Sequence, residues 1–297
     1  MNIVLPDRIT SDKVLMTNVL LEGHPNWSTG SYAEGDKVIN GPVIWEALRA
    51  TSVEPTGDTY PGHHPEDWLW VGYTNQHRMF TDGRDSKTRN ENRIDVTVVP
   101  SGLVTTIALL GLEGVEVRLS VTDGASTTYL EVVESLQEPA ASNFFELFTV
   151  PAQLKETVVF DDLMPRPGAH YRLEIAASPG TTAACGRIVM GINRELGVTN
   201  FSSEVTSMSS RSLKRDEFGN LAITPRRTFR AVDYNVTVMT ERVEFVQRQL
   251  EQIDGVPTIF IGNKSYGSTV TFGIYQDFRI NISGPEVSKA TIRTEDF

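Results

Sequence analysis

The sequence predicts an all-β protein with one helix near its C-terminal end. The expected build is a small aromatic β module, an antiparallel β-sandwich and a β-rich C-terminal domain. Three observations predict this. Apolar and polar residues alternate in short runs, as in Val115-Glu116-Val117-Arg118-Leu119-Ser120-Val121, which is the pattern of a strand with one buried face. Gly, Pro, Asp and Asn turns separate those runs, in place of long helical stretches. All four tryptophans fall between Trp27 and Trp70. Tryptophan supplies a large flat apolar surface, so this crowding marks a unit with its own chemistry.

Residues 1–22 hold two short apolar runs, Ile3-Val4-Leu5 and Val14-Leu15-Met16, expected as an arm or hairpin. Residues 23–82 form the aromatic module, with a turn entering a strand over Tyr32–Ile39, the next strand at Val43–Leu48 and a Pro/Gly loop from Glu54 to Asp67. The nearly all-polar stretch 82–92 reads as a boundary. Residues 93–190 carry about seven short strands, typical of a sandwich. They are Ile94–Val98, Ile107–Leu112, Val115–Val121, Tyr129–Val133, Thr157–Phe160, Tyr171–Ile175 and Ala184–Met190. Residues 191–297 read as a docking domain. It opens with a Ser-rich stretch to Ser212, an Asp216–Asn220 turn and strands at Leu221–Thr224 and Tyr234–Val238. A helix is expected over 241–253, where Val243, Val246 and Leu250 share one face. Thr240 is its expected cap, and Gly255-Val256-Pro257 its stop. Strands at Thr258–Ile261, Phe278–Ile282 and Ala290–Arg293 close the chain.

Composition narrows the function classes. A net charge of −11 argues against nucleic acid as a main partner, because phosphate attracts the opposite sign. A single cysteine, Cys185, cannot form an intramolecular disulfide and suits folding in a reducing cytoplasm. Neither a signal peptide nor a membrane span is expected. No cofactor and no metal is expected. His63 and His64 are adjacent in a loop without ligand spacing. Asp161-Asp162 fits a turn at a strand end better than a glycosidase carboxylate pair. Cys185 sits in an apolar run and reads as an inert buried thiol. The motifs of hydrolases, P-loops and dinucleotide sites are absent. The expectation is a protein without enzymatic activity.

The aromatic segment carries two resemblances. Trp27-x4-Tyr32-x2-Gly35-Asp36-x-Val38, then Trp45-x-Ala47, Pro55 and Trp68, is similar to the small chitin- and cellulose-binding modules. In these a Gly-Asp turn leads into a core strand begun by Val. The chain departs from their pattern in a longer loop, Thr56–Asp67, and in Ile39-Asn40-Gly41, where an aromatic is usual. The resemblance implies stacking of sugar rings on Trp70, Tyr60, Trp68, Trp27 or Trp45. A structural reading stands beside it, in which Trp27, Trp45 and Trp68 are the core of a unit this small.

Further phrases run in order through the chain. They are Gly72-x-Thr74-Asn75-x3-Met79-Phe80-x-Asp82, Ala108–Leu112, Cys185–Gly191, Asp216-x-Phe218-Gly219-Asn220 and Pro257-x4-Ile261-Gly262. Together they resemble a family of tailed-bacteriophage tail, baseplate and fibre-associated virion proteins, over residues 25–297. That resemblance implies a structural protein made in the host cytoplasm and built into the virion. Its partners would be copies of itself, other tail proteins and host surface polysaccharide. A stand-alone carbohydrate-binding protein and a glycan depolymerase are the alternatives.

Overall fold

A computed structural model describes residues 1–57, 62, 64–81, 87–124, 127–137, 154–215, 221–224 and 228–296. The first third gives β1 (Asn2–Pro6), β2 (Val14–Thr17), β3 (Lys37–Asn40), β4 (Val43–Ala47) and β5 (Trp68–Tyr73). The middle gives β6 (Thr88–Glu91), β7 (Arg93–Val98), β8 (Thr106–Leu110), β9 (Glu116–Thr122) and β10 (Thr128–Ser135). It continues with β11 (Thr157–Phe160), β12 (His170–Ala176), β13 (Thr182–Cys185) and β14 (Arg187–Glu195). Next come β15 (Val198–Thr199), β16 (Glu204–Ser209), β17 (Ser212–Arg215), β18 (Leu221–Thr224) and β19 (Thr228–Met239). Helix α1 (Val243–Gln252) and strands β20 (Thr258–Ile261), β21 (Val270–Asn281) and β22 (Val287–Asp296) complete the chain.

The protein is all-β, with 52% of residues in strands arranged as antiparallel sheets. A large sheet runs β11-β8-β14-β1-β20-β21-β22-β19-β15, with β16 also on β19. A second sheet runs β10-β9-β12-β7-β2. Side chains from this second sheet and from β8 and β14 share one core, which includes Ile94, Leu109, Leu119, Leu173 and Met190. The period-two reading holds residue by residue here. Strand β9 buries Val117, Leu119 and Val121, and β12 buries Tyr171, Leu173 and Ile175.

Strand β1 ties the large sheet together. It pairs with β14 on one side (Val4 opposite Asn193) and with β20 on the other (Val4 opposite Ile259). Its successive side chains enter two different cores. Ile3 joins Tyr234, Leu250 and Phe260 on the helix face, and Val4 joins Ala108, Val189 and Phe272 on the other. Gly191 permits the approach, since a Cβ there would lie 1.8 Å from the Leu5 carbonyl oxygen.

Several expectations are corrected at this level. Residues 1–22 form no hairpin, because β1 and β2 pair into separate sheets with strands remote in sequence. The division at 190/191 falls inside β14, which runs unbroken from Arg187 to Glu195. The run Ala184–Met190 is two strands, parted at Gly186, where a Cβ would come 3.0 Å from the Leu110 carbonyl oxygen. Within the polar stretch 82–92, Thr88–Glu91 is a strand paired with β13. The helix begins two residues late, after a 3₁₀ turn at Thr240–Arg242, and Thr240 does not cap it. The Thr240 hydroxyl instead donates to the Gly284 carbonyl at 2.9 Å. The Asp216–Asn220 turn lies outside the described residues.

A long hairpin leaves the large sheet at its far end. Strand β16 pairs with the start of β19, from Glu204 opposite Asp233 to Ser209 opposite Thr228. Strands β17 and β18 continue the same course, from Ser212 opposite Thr224 to Arg215 opposite Leu221. Strand β22 accompanies β19 only as far as Ala231. Beyond that point the two strands of the hairpin pair only with each other among the described residues.

Gly191→Ala is expected to destabilise the whole protein by about 2–3 kcal/mol, the cost of overpacking at a closed backbone contact. Thermal unfolding checks it. A midpoint within 1 °C of the parent would refute the role given to β1.

Candidate functional site

The aromatic module is built on β3-β4-β5, with Val38 opposite Trp45 and Trp45 opposite Trp70. Gly35, at φ +88°, makes the turn into β3. The Asp36 carboxylate closes that turn by accepting the Ala33 N–H at 2.7 Å. Val38, Val43, Trp45, Ala47 and Trp68 form the buried centre, and Trp27, Tyr32, Trp70 and Tyr73 pack around it. A β-bulge shapes the aromatic row. Ile44 pairs with Gly72 and Trp45 with Trp70, leaving Val71 as an extra residue. The bulge resets the alternation, so Trp70 and Tyr73 meet edge to face at 5.1 Å. Trp45 meets Trp70 at 5.3 Å, and Tyr32 meets Trp68 at 5.6 Å.

The five expected stacking residues separate by burial. Trp45 is 0% exposed and Trp68 1%, so neither offers a ring face to a sugar. The Trp68 indole N–H donates to the Val53 carbonyl at 2.8 Å. The Trp45 ring is closed over by Gly62, where a Cβ would lie 2.1 Å from it. Trp27 and Trp70 are half-buried at the margin. Tyr60 lies outside the described residues. Tyr73 belongs to the aromatic row, brought against Trp70 by a bulge that is not visible in a strand pattern.

The module's two ends are tied together by polar side chains. The Glu22 carboxylate accepts the Asn75 N–H at 2.8 Å and the Arg78 guanidinium at 2.7 Å. The Asn75 amide donates to the Arg89 carbonyl at 2.8 Å and accepts the Arg89 N–H at 3.0 Å. Met79 then plugs fully into the sandwich core.

A cleft of about 460 Å³ opens beside this tether. Arg8, Tyr73, His77, Phe80, Arg187 and Phe272 are among its walls. The Arg187 guanidinium lies 3.8 Å over the Phe272 ring and donates from Nε to the Thr81 carbonyl at 3.0 Å. His77 Nδ1 is 3.0 Å from Thr74 Oγ1, and its buried Nε2 has no partner among the described residues. Burial lowers the His77 pKa below the ordinary imidazole value, which favours the neutral ring.

Cys185 is fully buried, and burial pushes its thiol up to about 12, so it is not a thiolate near neutrality. Asp161 accepts Lys264 Nζ on both oxygens, at 2.8 and 2.9 Å. Asp162 has φ 56°, in keeping with a turn. His64, Glu66 and Asp67 bring one donor atom each within 4.8 Å of one another, closer than their sequence spacing suggested. Arg49 already donates to Asp67 at 2.7 Å and holds its carboxyl below the usual range. A cation added there would meet that guanidinium. His63 lies outside the described residues.

Comparison with protein-family models, with curated proteins and with solved structures finds no match to this chain.

His77 gives a pH signature. Its folded-state pKa is lowered, so below about pH 6.5 the unfolded chain binds a proton that the folded chain does not. Stability therefore falls as pH drops through that value and levels off below the folded pKa. Urea midpoints at pH 7 and 5.5 should fall further in the parent than in His77→Gln. Equal falls in the two proteins would show that His77 is not desolvated.

Proposed function

We propose that this chain is a structural component of a tailed-phage virion, a tail, baseplate or fibre-attachment protein. It acts by contact and without turnover, in multiple copies. The observation that carries the reading is the pairing of Glu204–Ser209 with Thr228–Asp233, continued by Ser212–Arg215 with Leu221–Thr224, whose outer part has no other strand beside it among the described residues. A two-stranded ribbon is marginal alone in water, so its retention fits a protein that works against neighbours. The ordered phrases from Gly72 to Gly262 support the same reading. The charge of −11 favours protein and glycan partners over nucleic acid. The test is mass spectrometry and electron microscopy of purified particles. The chain should be present in several copies at one position, and its absence from washed particles would end this reading.

A glycan-contact role is favoured by the half-buried margin of Trp27 and Trp70 with Tyr73. It applies to a virion protein and to a stand-alone carbohydrate-binding protein alike. Retention on chitin, cellulose or bacterial polysaccharide should drop at least tenfold in Trp70→Ala with the near-ultraviolet circular dichroism of the module preserved. Unchanged retention would remove Trp70 from the contact.

A further inference from the structure

The cleft beside the tether draws its walls from four parts of the chain. They are the aromatic module, the tether, the connection between β1 and β2, and the strands β14 and β21. Its volume of about 460 Å³ lies inside the ~300–1,000 Å³ range of small-ligand sites. Two half-buried rings stand in its walls, Tyr73 from the module and Phe80 from the tether. Phe272 also lines it, but that ring is 4% exposed and is covered by the Arg187 guanidinium.

The polar groups in these walls carry both signs and are held in place. The Asp7 carboxylate accepts the Gly102 N–H at 2.9 Å and lies 3.8 Å from Lys13 Nζ. The Asp7 N–H donates to the Met190 carbonyl at 2.8 Å, and Lys13 Nζ donates to the Arg8 carbonyl at 2.7 Å. The β1–β2 connection is thus fastened to β14. Arg187 is 7% exposed, set between the Phe272 ring and the Thr81 carbonyl. Arg8 brings a second guanidinium and exposed Ser11 a hydroxyl. The neutral His77 ring adds no charge of its own.

This combination selects a class of ligand. A carboxylate only accepts, a guanidinium only donates, and a hydroxyl does both. A molecule with several hydroxyls therefore suits Asp7 and the two arginines at once. A ligand with a formal charge of either sign meets a like charge at one wall, which counts against it. Tyr73 and Phe80 supply flat apolar surface of the kind that the C–H face of a sugar ring stacks on. Tyr73 also stands 5.1 Å from Trp70, so the cleft continues the aromatic margin of the module. We propose that the cleft takes the end of a neutral glycan, with one ring against Tyr73 and Phe80 and its hydroxyls on Asp7, Arg8 and Ser11. The inference deepens the glycan-contact reading above and rests on it. Trp70 meets the glycan along its length, and the cleft holds its terminus.

The test is an array of neutral and uronate-bearing oligosaccharides, followed by calorimetric titration of a neutral one that the full chain holds. Its affinity should change by less than about twofold between low salt and about 1 M salt, where the screening length falls to about 3 Å and ion pairs weaken. Arg8→Ala with Ser11→Leu alters two exposed positions and puts a bulky group without hydrogen-bonding capacity into the cleft. It should keep the parent's thermal midpoint and bind about tenfold more weakly or worse. Tyr73→Leu removes a ring and keeps an apolar side chain on the module, and the same loss is expected. Should Tyr73→Leu unfold the module, the double variant decides alone. A parent that holds no neutral oligosaccharide would overturn the inference. So would one that holds only uronate-bearing glycans and releases them in salt, or a folded double variant that binds like the parent. The margin and the cleft are separable. Loss in Trp70→Ala with full binding in the double variant sinks the cleft and leaves the glycan-contact reading intact. Loss in the double variant with full binding in Trp70→Ala removes the margin and leaves the cleft.

Discussion

The insertion of β1 between β14 and β20 is the constraint on which the rest depends. Five residues from the start of the chain complete two hydrogen-bonded ladders at once. They also plug two cores, because successive side chains of a strand face opposite ways. Ile3 and Val4 are both fully buried, and burying each stabilises the fold by about 1.5–3 kcal/mol. The larger effect is architectural. Without β1, the sandwich half and the helix-bearing half of the large sheet would each end in an open edge, which is exposed to mispairing. Gly191 makes the fit possible, since no side chain can stand between β14 and the Leu5 carbonyl.

Much of this fold was legible in the sequence. Strands β11 and β20 fall end for end where alternation and turn residues put them. The aromatic unit and the helix also stand where composition and periodicity pointed. What was not legible is pairing at long range. Nothing in Ile3-Val4-Leu5 announces a partner at Ile192, and nothing in Val14-Leu15-Met16 announces Thr97. Alternation gives a strand one wet face and one dry face, but not its neighbours. Thr240 shows the same limit at short range, since its hydroxyl finds the Gly284 carbonyl and leaves the helix uncapped.

The aromatic module was legible in the sequence, and the packing of its rings was not. Tryptophan crowding located the module, and folding spent two of the four indoles on its interior. The bulge at Val71 then turned Tyr73 toward Trp70, a shift of one residue that no residue count foretells. Several glycines along the chain sit at close packing. Gly111 and Gly186 lie back to back, with a Cβ on either 3.4 Å from the other's Cα. A Cβ on Gly262 would come 2.9 Å from the Tyr234 ring. Asn75 serves as the tether between module and body. These positions set shape.

The order of synthesis gives β1 an unusual timetable. Its residues are translated well before the partners of its two ladders, Arg187–Glu195 and Thr258–Ile261. Such distant pairings close slowly, because loop entropy is lost before any contact rewards it. The leading segment must therefore idle, unpaired and apolar, while more than two hundred residues are added behind it. A segment made before its partners is thus among the last to be seated, and the nascent chain stays open to intermolecular pairing in the interval.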